Sequence, residues 1–148
     1  MRTVLDAATG ELDAITLYKI LRLRTDVFVV EQQCPYPELD GRDLEPDARQ
    51  VWIADGEEIR ATLRMLHDPD GTARIGRVAT AQDARGKGLA AVLMNRALEL
   101  AGRTDVVLDA QKYLEDWYAR FGFVRDGVDY LEDGIPHVPM RRHLQSEA

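Results

Sequence analysis

The feature that most constrains the fold of this chain is a glycine-rich segment, Arg85-Gly86-Lys87-Gly88-Leu89-Ala90. It lies between a short, partly β-branched run at residues 75–80, which predicts a strand, and apolar residues at helical spacing. Two glycines separated by one residue, with a cation on either side of the first, favour a turn whose backbone N–H groups surround an anion. The following helix adds the partial positive charge of its N-terminal end. The segment therefore predicts a site for a phosphate-bearing ligand.

The same residues also match the dinucleotide-binding pattern G-x-G-x-x-A, and Asp109 ends the next apolar run. In dinucleotide-binding domains the first glycine follows almost directly on its strand, whereas here residues 81–84 intervene. Such a domain also needs several further strand–helix units, and only residues 110–148 remain after Asp109. The spacing therefore argues against a dinucleotide-binding domain.

The first half of the chain predicts a helix followed by an antiparallel meander. Asp13 is a suitable helix N-cap, and apolar residues recur on one side of the following segment as far as Phe28, before a Cys-Pro-Tyr-Pro run ends the helix. Alternating apolar residues flank Asp55-Gly56, which predicts a hairpin, and a second turn at 68–71 leads into a strand at 74–80. We therefore predict three antiparallel strands in this region.

The second half of the chain predicts a crossover to a parallel strand. A helix over Gly88–Ala101 leads to a strand at Asp105–Ala110, and a connection of helix length usually joins parallel neighbours. A short helix near residues 114–121, stopped by Gly122, precedes a final hairpin around Glu132-Asp133-Gly134. The predicted fold class is α/β (α+β), with a mixed sheet and helices on both faces.

Composition and length predict one domain over residues 1–148, large enough to form a core without a disulfide or metal. No apolar run approaches the roughly 20 residues that span a bilayer, and the acidic N-terminus does not resemble a signal peptide. A single cysteine excludes an internal disulfide and fits a reducing compartment. These features predict a cytoplasmic protein with no membrane partner.

The net charge of −7 at pH 7 argues against nucleic acid as the main partner, because contacts to phosphates need a basic face. The same charge is compatible with a cationic substrate such as an amine. The three histidines and one cysteine lie far apart in the sequence and show no metal-ligand spacing, so no metal site is predicted.

Several stretches within residues 17–142 carry a family resemblance. The glycine-rich segment, the preceding Val78-Ala79-Thr80 and the later Trp117–Phe123 run together resemble the GCN5-related N-acetyltransferase (GNAT) superfamily. Residues Arg24–Gln32 with Cys34-Pro35-Tyr36, followed by the Glu132–His137 run, resemble its ElaA branch. The resemblance implies the acyl-CoA N-acyltransferase fold, whose meander, helix crossover and parallel strand match the pattern found above.

The resemblance also implies that acetyl-CoA is the acetyl donor. In the superfamily, the strand before the glycine-rich loop binds the pantetheine arm through its backbone, and the loop amides hold the pyrophosphate. Carried over, the donor site comprises Val78, Ala79, Thr80, Arg85, Gly86, Lys87, Gly88, Leu89 and Ala90. The superfamily usually has Arg or Gln three residues before the first glycine, where this chain has Asp83. A carboxylate there would repel the pyrophosphate unless it points away.

Tyr118 matches the superfamily tyrosine that lies near the cofactor sulfur and protonates the departing thiolate. Aminolysis of a thioester expels a thiolate, and a phenol within hydrogen-bond distance can donate a proton to it. The alternative is that Tyr118 is an aromatic core residue beside Trp117 and Phe121.

Two residues are candidates for the general base that deprotonates the amine, and we predict that they lie close together at the acceptor end of the cleft. Glu31 follows an apolar run, and His137 follows a turn and carries an imidazole, which titrates at a useful pH. The alternatives are that Glu31 is a cap or ion-pair partner and that His137 is a hydrogen-bonded surface residue. Asp109 ranks below both, and Cys34, without a cationic sequence neighbour, is predicted to be a buried and inert thiol.

The resulting expectation is an acetyl-CoA-dependent N-acetyltransferase whose acceptor is a small-molecule or peptide amine. The amine attacks the thioester directly, a backbone amide near residues 78–80 polarises its carbonyl, and no metal takes part. The protein is expected to be a monomer or a homodimer. Two alternatives remain open: an acyltransferase resembling the acyl-homoserine-lactone synthases, which share a related fold and a similar N-terminal run, and a non-catalytic CoA-binding regulatory module.

Overall fold

A mixed sheet of eight strands forms the centre of the molecule in a computed structural model that describes residues 1–144. The last four residues of the predicted 1–148 domain lie outside the described residues. The strands are β1 (Arg2–Ala8), β2 (Arg49–Asp55), β3 (Glu58–His67), β4 (Ala73–Thr80), β5 (Val106–Gln111), β6 (Val124–Arg125), β7 (Tyr130–Glu132) and β8 (Ile135–Arg142). The helices are α1 (Ala14–Thr25), α2 (Leu89–Ala101) and α3 (Glu115–Ala119).

The strand order is β1-β2-β3-β4-β5-β8-β6, with β7 paired to β8. β2, β3 and β4 form the predicted antiparallel meander, and α2 crosses over to β5, which runs parallel to β4. The predicted fold class is therefore confirmed. β1 was not predicted, because its exposed sequence shows no clear alternation; it is an edge strand paired with β2 over its whole length.

α2 packs an apolar face against one side of the sheet. Leu93, Met94 and Ala97 are fully buried there, among residues of β3 such as Leu63 and Met65. Because side chains alternate along a strand, the intervening residues of β3 face the opposite side, on which α1 lies. The helices thus cover both faces. No helix within residues 1–144 is both long and apolar enough to cross a membrane.

α1 begins where the sequence predicts, since the Asp13 carboxylate accepts a hydrogen bond of 2.6 Å from the backbone N–H of Thr16. The helix continues into a π-helical turn over Asp26–Glu31, where the sequence pattern indicated only a continuous helix. π-helical turns frequently occur at functional sites. This one carries Glu31 to the edge of the cleft described below.

β4 and β5 are paired at the beginning of each strand, at Ala73–Val106 and Arg74–Val107. The remaining residues of β4 and much of β5 border a cleft. β4 also contains an irregularity opposite β3, where the register shifts between Thr62 and Arg64. The parallel pair thus opens into a wedge at its carboxyl end, which is where ligands bind in open α/β sheets.

Candidate active site

A cleft of about 840 Å³ lies in this wedge. Its walls come from β4, the π-helical turn, α3 and the β7–β8 hairpin. It brings together most of the residues that the sequence singled out: Glu31, Val78, Ala79, Thr80, Arg85, Ala90, Tyr118 and His137. The other predicted donor residues, Gly86 to Leu89, form the turn between the lining residues Arg85 and Ala90. Candidates from distant parts of the chain therefore share one site.

The glycine-rich turn has the backbone geometry that an anion site requires. Gly86 and Gly88 have φ angles of +79° and +74°, in the left-handed region that favours glycine. A Cβ atom added at either glycine would meet no atom within 4 Å, so the turn faces open space. Gly88 precedes the first residue of α2 and provides no side-chain cap. The first N–H groups of α2 can therefore receive an anionic ligand.

Asp83, which departs from the superfamily pattern, is paired with a cation. Its carboxylate accepts a hydrogen bond of 2.6 Å from the Arg60 guanidinium on β3. This ion pair offsets the negative charge that would otherwise oppose a pyrophosphate in the neighbouring turn.

Glu31 contacts the first residue of the glycine-rich segment directly. Both of its carboxylate oxygens accept hydrogen bonds from the Arg85 guanidinium, at 2.5 and 2.6 Å, and Arg85 also donates to the carbonyl oxygen of Thr80. The hydrogen bonds from Arg85 lower the pKa of the Glu31 carboxyl group. Glu31 is thus the ion-pair partner that the sequence left open as an alternative, and a lowered pKa makes it a weaker base.

His137 lies on β8 with its ring orientation fixed. Its Nδ1 is 2.7 Å from the carbonyl oxygen of Ile135, and since a carbonyl can only accept, Nδ1 carries the hydrogen. The ring stacks on Tyr130 with centroids 5.6 Å apart. In the neutral imidazole Nε2 is then the basic atom, and it lies 3.9 Å from a carboxylate oxygen of Glu132.

Tyr118 lines the cleft from α3, and its ring is buried. It makes an edge contact with Trp117, with centroids 4.9 Å apart, and another with Phe123. Burial raises the pKa of the phenol to about 12, so it carries its proton at neutral pH. The two interpretations of Tyr118, core aromatic and cleft-lining acid, are therefore compatible.

Two further candidates have identifiable partners. Cys34 is half-buried rather than buried as predicted, because it lines the open cleft; its Sγ lies 3.9 Å from the carbonyl oxygen of Asp133. The Asp109 carboxylate accepts a hydrogen bond of 2.9 Å from Arg74. Within residues 1–144 no group of three or more His, Cys, Asp or Glu side chains is placed to hold a metal ion.

The sequence did not predict a network of charged residues that adjoins the cleft, which Asp40, Arg64 and Arg77 of the network line. Its members alternate between arginines and carboxylates: Arg24, Glu38, Asp40, Asp43, Arg64 and Arg77. Arg24 is fully buried and donates to Glu38 and Asp43. A signal was present, because Arg24 opens one of the stretches that resemble the ElaA branch, and acidic residues are frequent shortly after it. We define these six residues as the charge network.

Comparison with known proteins agrees with this geometry. Residues 25–144 match the family model described as "Acetyltransferase (GNAT) domain". A UPF0039 protein of Mycobacterium tuberculosis is 52% identical over 137 residues, covering 89% of this chain and 87% of its own length. ElaA of Escherichia coli is 39% identical over 145 residues, covering 94% and 95%. The crystal structure of an acyl-CoA N-acyltransferase from Pseudomonas aeruginosa superposes with a TM-score of 0.91 at 44% identity, covering 96% of this chain and 99% of that chain.

The fold is therefore that of the acyl-CoA N-acyltransferase structures, and this fold and the family domain support an acyltransferase. The chain belongs to the GNAT acetyltransferase family and, within it, to the ElaA-like branch. A CoA-dependent acyl-homoserine lactone synthase also superposes, with a TM-score of 0.80, but at 17% identity this likeness concerns the fold alone.

Proposed function

We propose that this chain is an acetyl-CoA-dependent N-acetyltransferase that acts by direct attack of an amine on the thioester. The observation that carries this proposal is the shared cleft, which joins the glycine-rich turn, the open end of β4, Tyr118 and His137. Such a reaction needs a phosphate site, a strand with unpaired backbone groups, a proton donor and a proton acceptor.

The donor fits the residues present. The backbone of Gly86 and Gly88 would surround the pyrophosphate, and the backbone of Val78 to Thr80 would bind the pantetheine arm and polarise the thioester carbonyl. When bound, acetyl-CoA supplies an activated acetyl group. Arg85, held by Glu31, lies beside this path and adds positive charge to it.

His137 and Tyr118 would carry the two protons of the reaction. The Nε2 lone pair of His137 accepts a proton from the acceptor ammonium, whose nitrogen then forms the C–N bond as the C–S bond breaks. The departing thiolate takes the phenolic proton of Tyr118, and the resulting phenolate then takes the second proton that the nitrogen loses as the amide forms. We assign Glu31 to holding Arg85, because Arg85 already binds both of its oxygens.

Release of CoA from acetyl-CoA in the presence of a panel of small amines and peptides tests the reaction. Tyr118→Phe and His137→Ala should each lower kcat by about 10² or more, which is the usual contribution of a general acid or base. An exposed variant on the same helix as Tyr118, Asp116→Asn, is the control and should retain full activity.

The donor assignment has an independent test. Acetyl-CoA should raise the Tm of the wild-type protein, because a ligand that binds the folded state stabilises it by mass action. Gly86→Glu should abolish this shift, since a carboxylate would occupy the pyrophosphate position on a backbone that disfavours any side chain. An undiminished shift in this variant would place the donor elsewhere.

Other outcomes favour other functions. Tight binding of acetyl-CoA without turnover of any amine would support a regulatory module. Turnover of an acyl carrier protein with S-adenosylmethionine would support a synthase. We further propose a cytoplasmic location, which the single cysteine supports, and a monomeric or homodimeric state; cell fractionation and light scattering test them.

A further inference from the structure

Arg77, in the middle of β4, has a backbone conformation that is unusual for its residue type. Its φ angle is +54°, in the left-handed region that residues other than glycine rarely adopt. On either side of it, Gly76 pairs with Arg64 and Ala79 pairs with Thr62, so two residues of β4 stand opposite Leu63. Arg77 therefore forms part of a β-bulge, which bends the strand and re-aims the residues that follow.

Beyond the bulge, each residue of β4 lies on the opposite side of the sheet from the one that it would occupy in a regular strand. Ile75 and Ala79 are four residues apart and would share a face in a regular strand. In this structure Ile75 packs in the core beneath α2, whereas Ala79 packs with Leu23 and Val27 on the α1 side. The segment Val78 to Thr80 owes its orientation in the cleft to this reversal.

The side chain of Arg77 is held at several points. Its guanidinium donates to a carboxylate oxygen of Glu38 at 3.0 Å, to the Glu38 carbonyl oxygen at 3.3 Å and to Asp40 at 3.2 Å. It also lies 5.4 Å from the centre of the Tyr36 ring, and the Tyr36 hydroxyl donates to Glu38 at 2.9 Å. Electrostatic attraction to the aromatic ring adds to the ionic contacts.

The partners of Arg77 are themselves fixed by other elements. Glu38 is 4% exposed and also binds Arg24 of α1, while Asp40 also binds Arg64 of β3. The charge network therefore links the bulge to a helix and to a neighbouring strand. Its arginines and carboxylates balance in number, so that each buried charge has an opposite partner.

We infer that Arg77 is a positioning residue for the acyl donor. Its side chain, held by Tyr36, Glu38 and Asp40, imposes the left-handed conformation that turns the backbone of Val78 to Thr80 into the cleft. This inference rests on the proposed function, in which that backbone binds the pantetheine arm and the thioester. Arg77 acts through β4 rather than on the reacting atoms.

Arg77→Ala is the principal test, and both carboxylates keep an arginine partner in this variant, Arg24 for Glu38 and Arg64 for Asp40. Alanine disfavours the left-handed conformation, so binding of acetyl-CoA should weaken by about tenfold as the bulged form becomes a minority. Arg77→Gly should lose much less, because glycine adopts this conformation readily. Binding of adenosine 3′,5′-bisphosphate, which lacks the pantetheine arm, should change in neither variant. Isothermal titration calorimetry measures the affinity of each variant for acetyl-CoA and for the nucleotide fragment.

The control is Arg49→Ala, which removes an arginine of β2 that is paired with Asp6 outside the cleft and should leave acetyl-CoA binding unchanged. Equal losses in Arg77→Ala and Arg77→Gly would overturn the inference, since they would indicate a direct role of the side chain. Unchanged binding in Arg77→Ala would also overturn it. If the wild-type protein does not bind acetyl-CoA, the proposed donor is wrong instead.

Tyr36→Phe provides a second variant should Arg77→Ala fail to give a cooperative unfolding transition. It keeps every charge and removes only the hydroxyl that donates to Glu38. We expect a loss of acetyl-CoA affinity of about twofold to threefold, corresponding to part of one hydrogen bond, with the nucleotide fragment again unaffected. Affinity equal to that of the wild type would contradict the inference.

Discussion

The two faces of the sheet are stabilised in different ways. Beneath α2 the packing is apolar, with Leu93, Met94 and Ala97 fully buried against β3 and neighbouring strands. Beneath α1 the largest fully buried side chain is Arg24, which belongs to the charge network. Apolar packing tolerates changes of shape, whereas paired buried charges depend on geometry and on every partner. The face that requires the more accurate geometry is the one that adjoins the bulge in β4.

Removal of Arg24 should have the largest effect on stability. Arg24→Met keeps the length of the side chain but leaves Glu38 and Asp43 without their fully buried cation. We expect a loss of about 3–5 kcal/mol in the free energy of unfolding, the usual result of breaking a buried ion pair. Urea unfolding followed by circular dichroism measures it.

Arg22→Met is the matched control on the same helix. Arg22 is exposed and its ion pair with Asp26 is 3.9 Å long, so this variant should lose less than about 0.5 kcal/mol. Similar losses in the two variants would remove the distinction between buried and exposed charges on α1.

Shortening an apolar side chain beneath α2 should cause the next largest loss in the free energy of unfolding. Leu93→Ala creates a cavity beneath α2 and should lower the free energy of unfolding by about 3 kcal/mol. The neighbouring Val92 is 43% exposed, and Val92→Ala should change stability by about 0.5 kcal/mol or less. If Leu93→Ala lost more free energy of unfolding than Arg24→Met, the face beneath α2 would be the more sensitive one, contrary to the comparison.

A fall in pH should destabilise the face beneath α1, which contains the charge network, before the face beneath α2. Burial acts to raise the pKa of Asp40, but the hydrogen bonds from Arg64 and the Arg42 amide outweigh it and lower the pKa to about 2. A carboxyl group whose pKa is lower in the folded state stabilises the protein above its unfolded pKa of roughly 4, and this contribution disappears as the pH falls towards 2.

Asp40→Asn should therefore lose about 1 kcal/mol at pH 7, allowing for solvent exposure, and differ less from the wild type near pH 2. Unfolding curves at several pH values measure the difference, with the exposed Asp47→Asn as control. A difference that is constant with pH would show that the charge of Asp40 is not responsible.

The smallest expected effect concerns Glu31. Its ion pair with Arg85 is partly exposed, so Glu31→Gln should cost about 0.5 kcal/mol or less in stability. Because we assign the general base to His137, kcat and its pH dependence should remain those of the wild type. A pH profile that lost its acidic limb in Glu31→Gln would return the role of base to Glu31.

Much of the fold could be predicted because it depends on local patterns. The hairpin at Asp55-Gly56, the helix after Gly88 and the parallel crossover all follow from periodicity and turn residues. The glycine-rich turn was predictable for the same reason. β1 was missed because it is an edge strand whose partner lies more than 40 residues away in the sequence.

The charge network and the bulge could not be predicted in this way. Arg24 meets Glu38 and Asp43 only after α1 has packed on the sheet, and nothing in the sequence around Arg77 indicates a left-handed residue. Tertiary contacts impose that conformation. The partner of Glu31 was likewise open, because Arg85 is distant in sequence and the two residues meet only in the folded chain.

The short pairing between β4 and β5 has a mechanical consequence. The strands β1 to β4 form one leaf of the sheet, and β5 to β8 form the other. Backbone pairing joins the two leaves at Ala73, Arg74, Val106 and Val107, and we call this pairing the seam. Because the seam is confined to one end of β4 and β5, we expect the leaves to move relative to each other at the open end. A ligand lying between them would contact both leaves, so we expect its binding to restrict this movement across the sheet and not only at the residues that it touches.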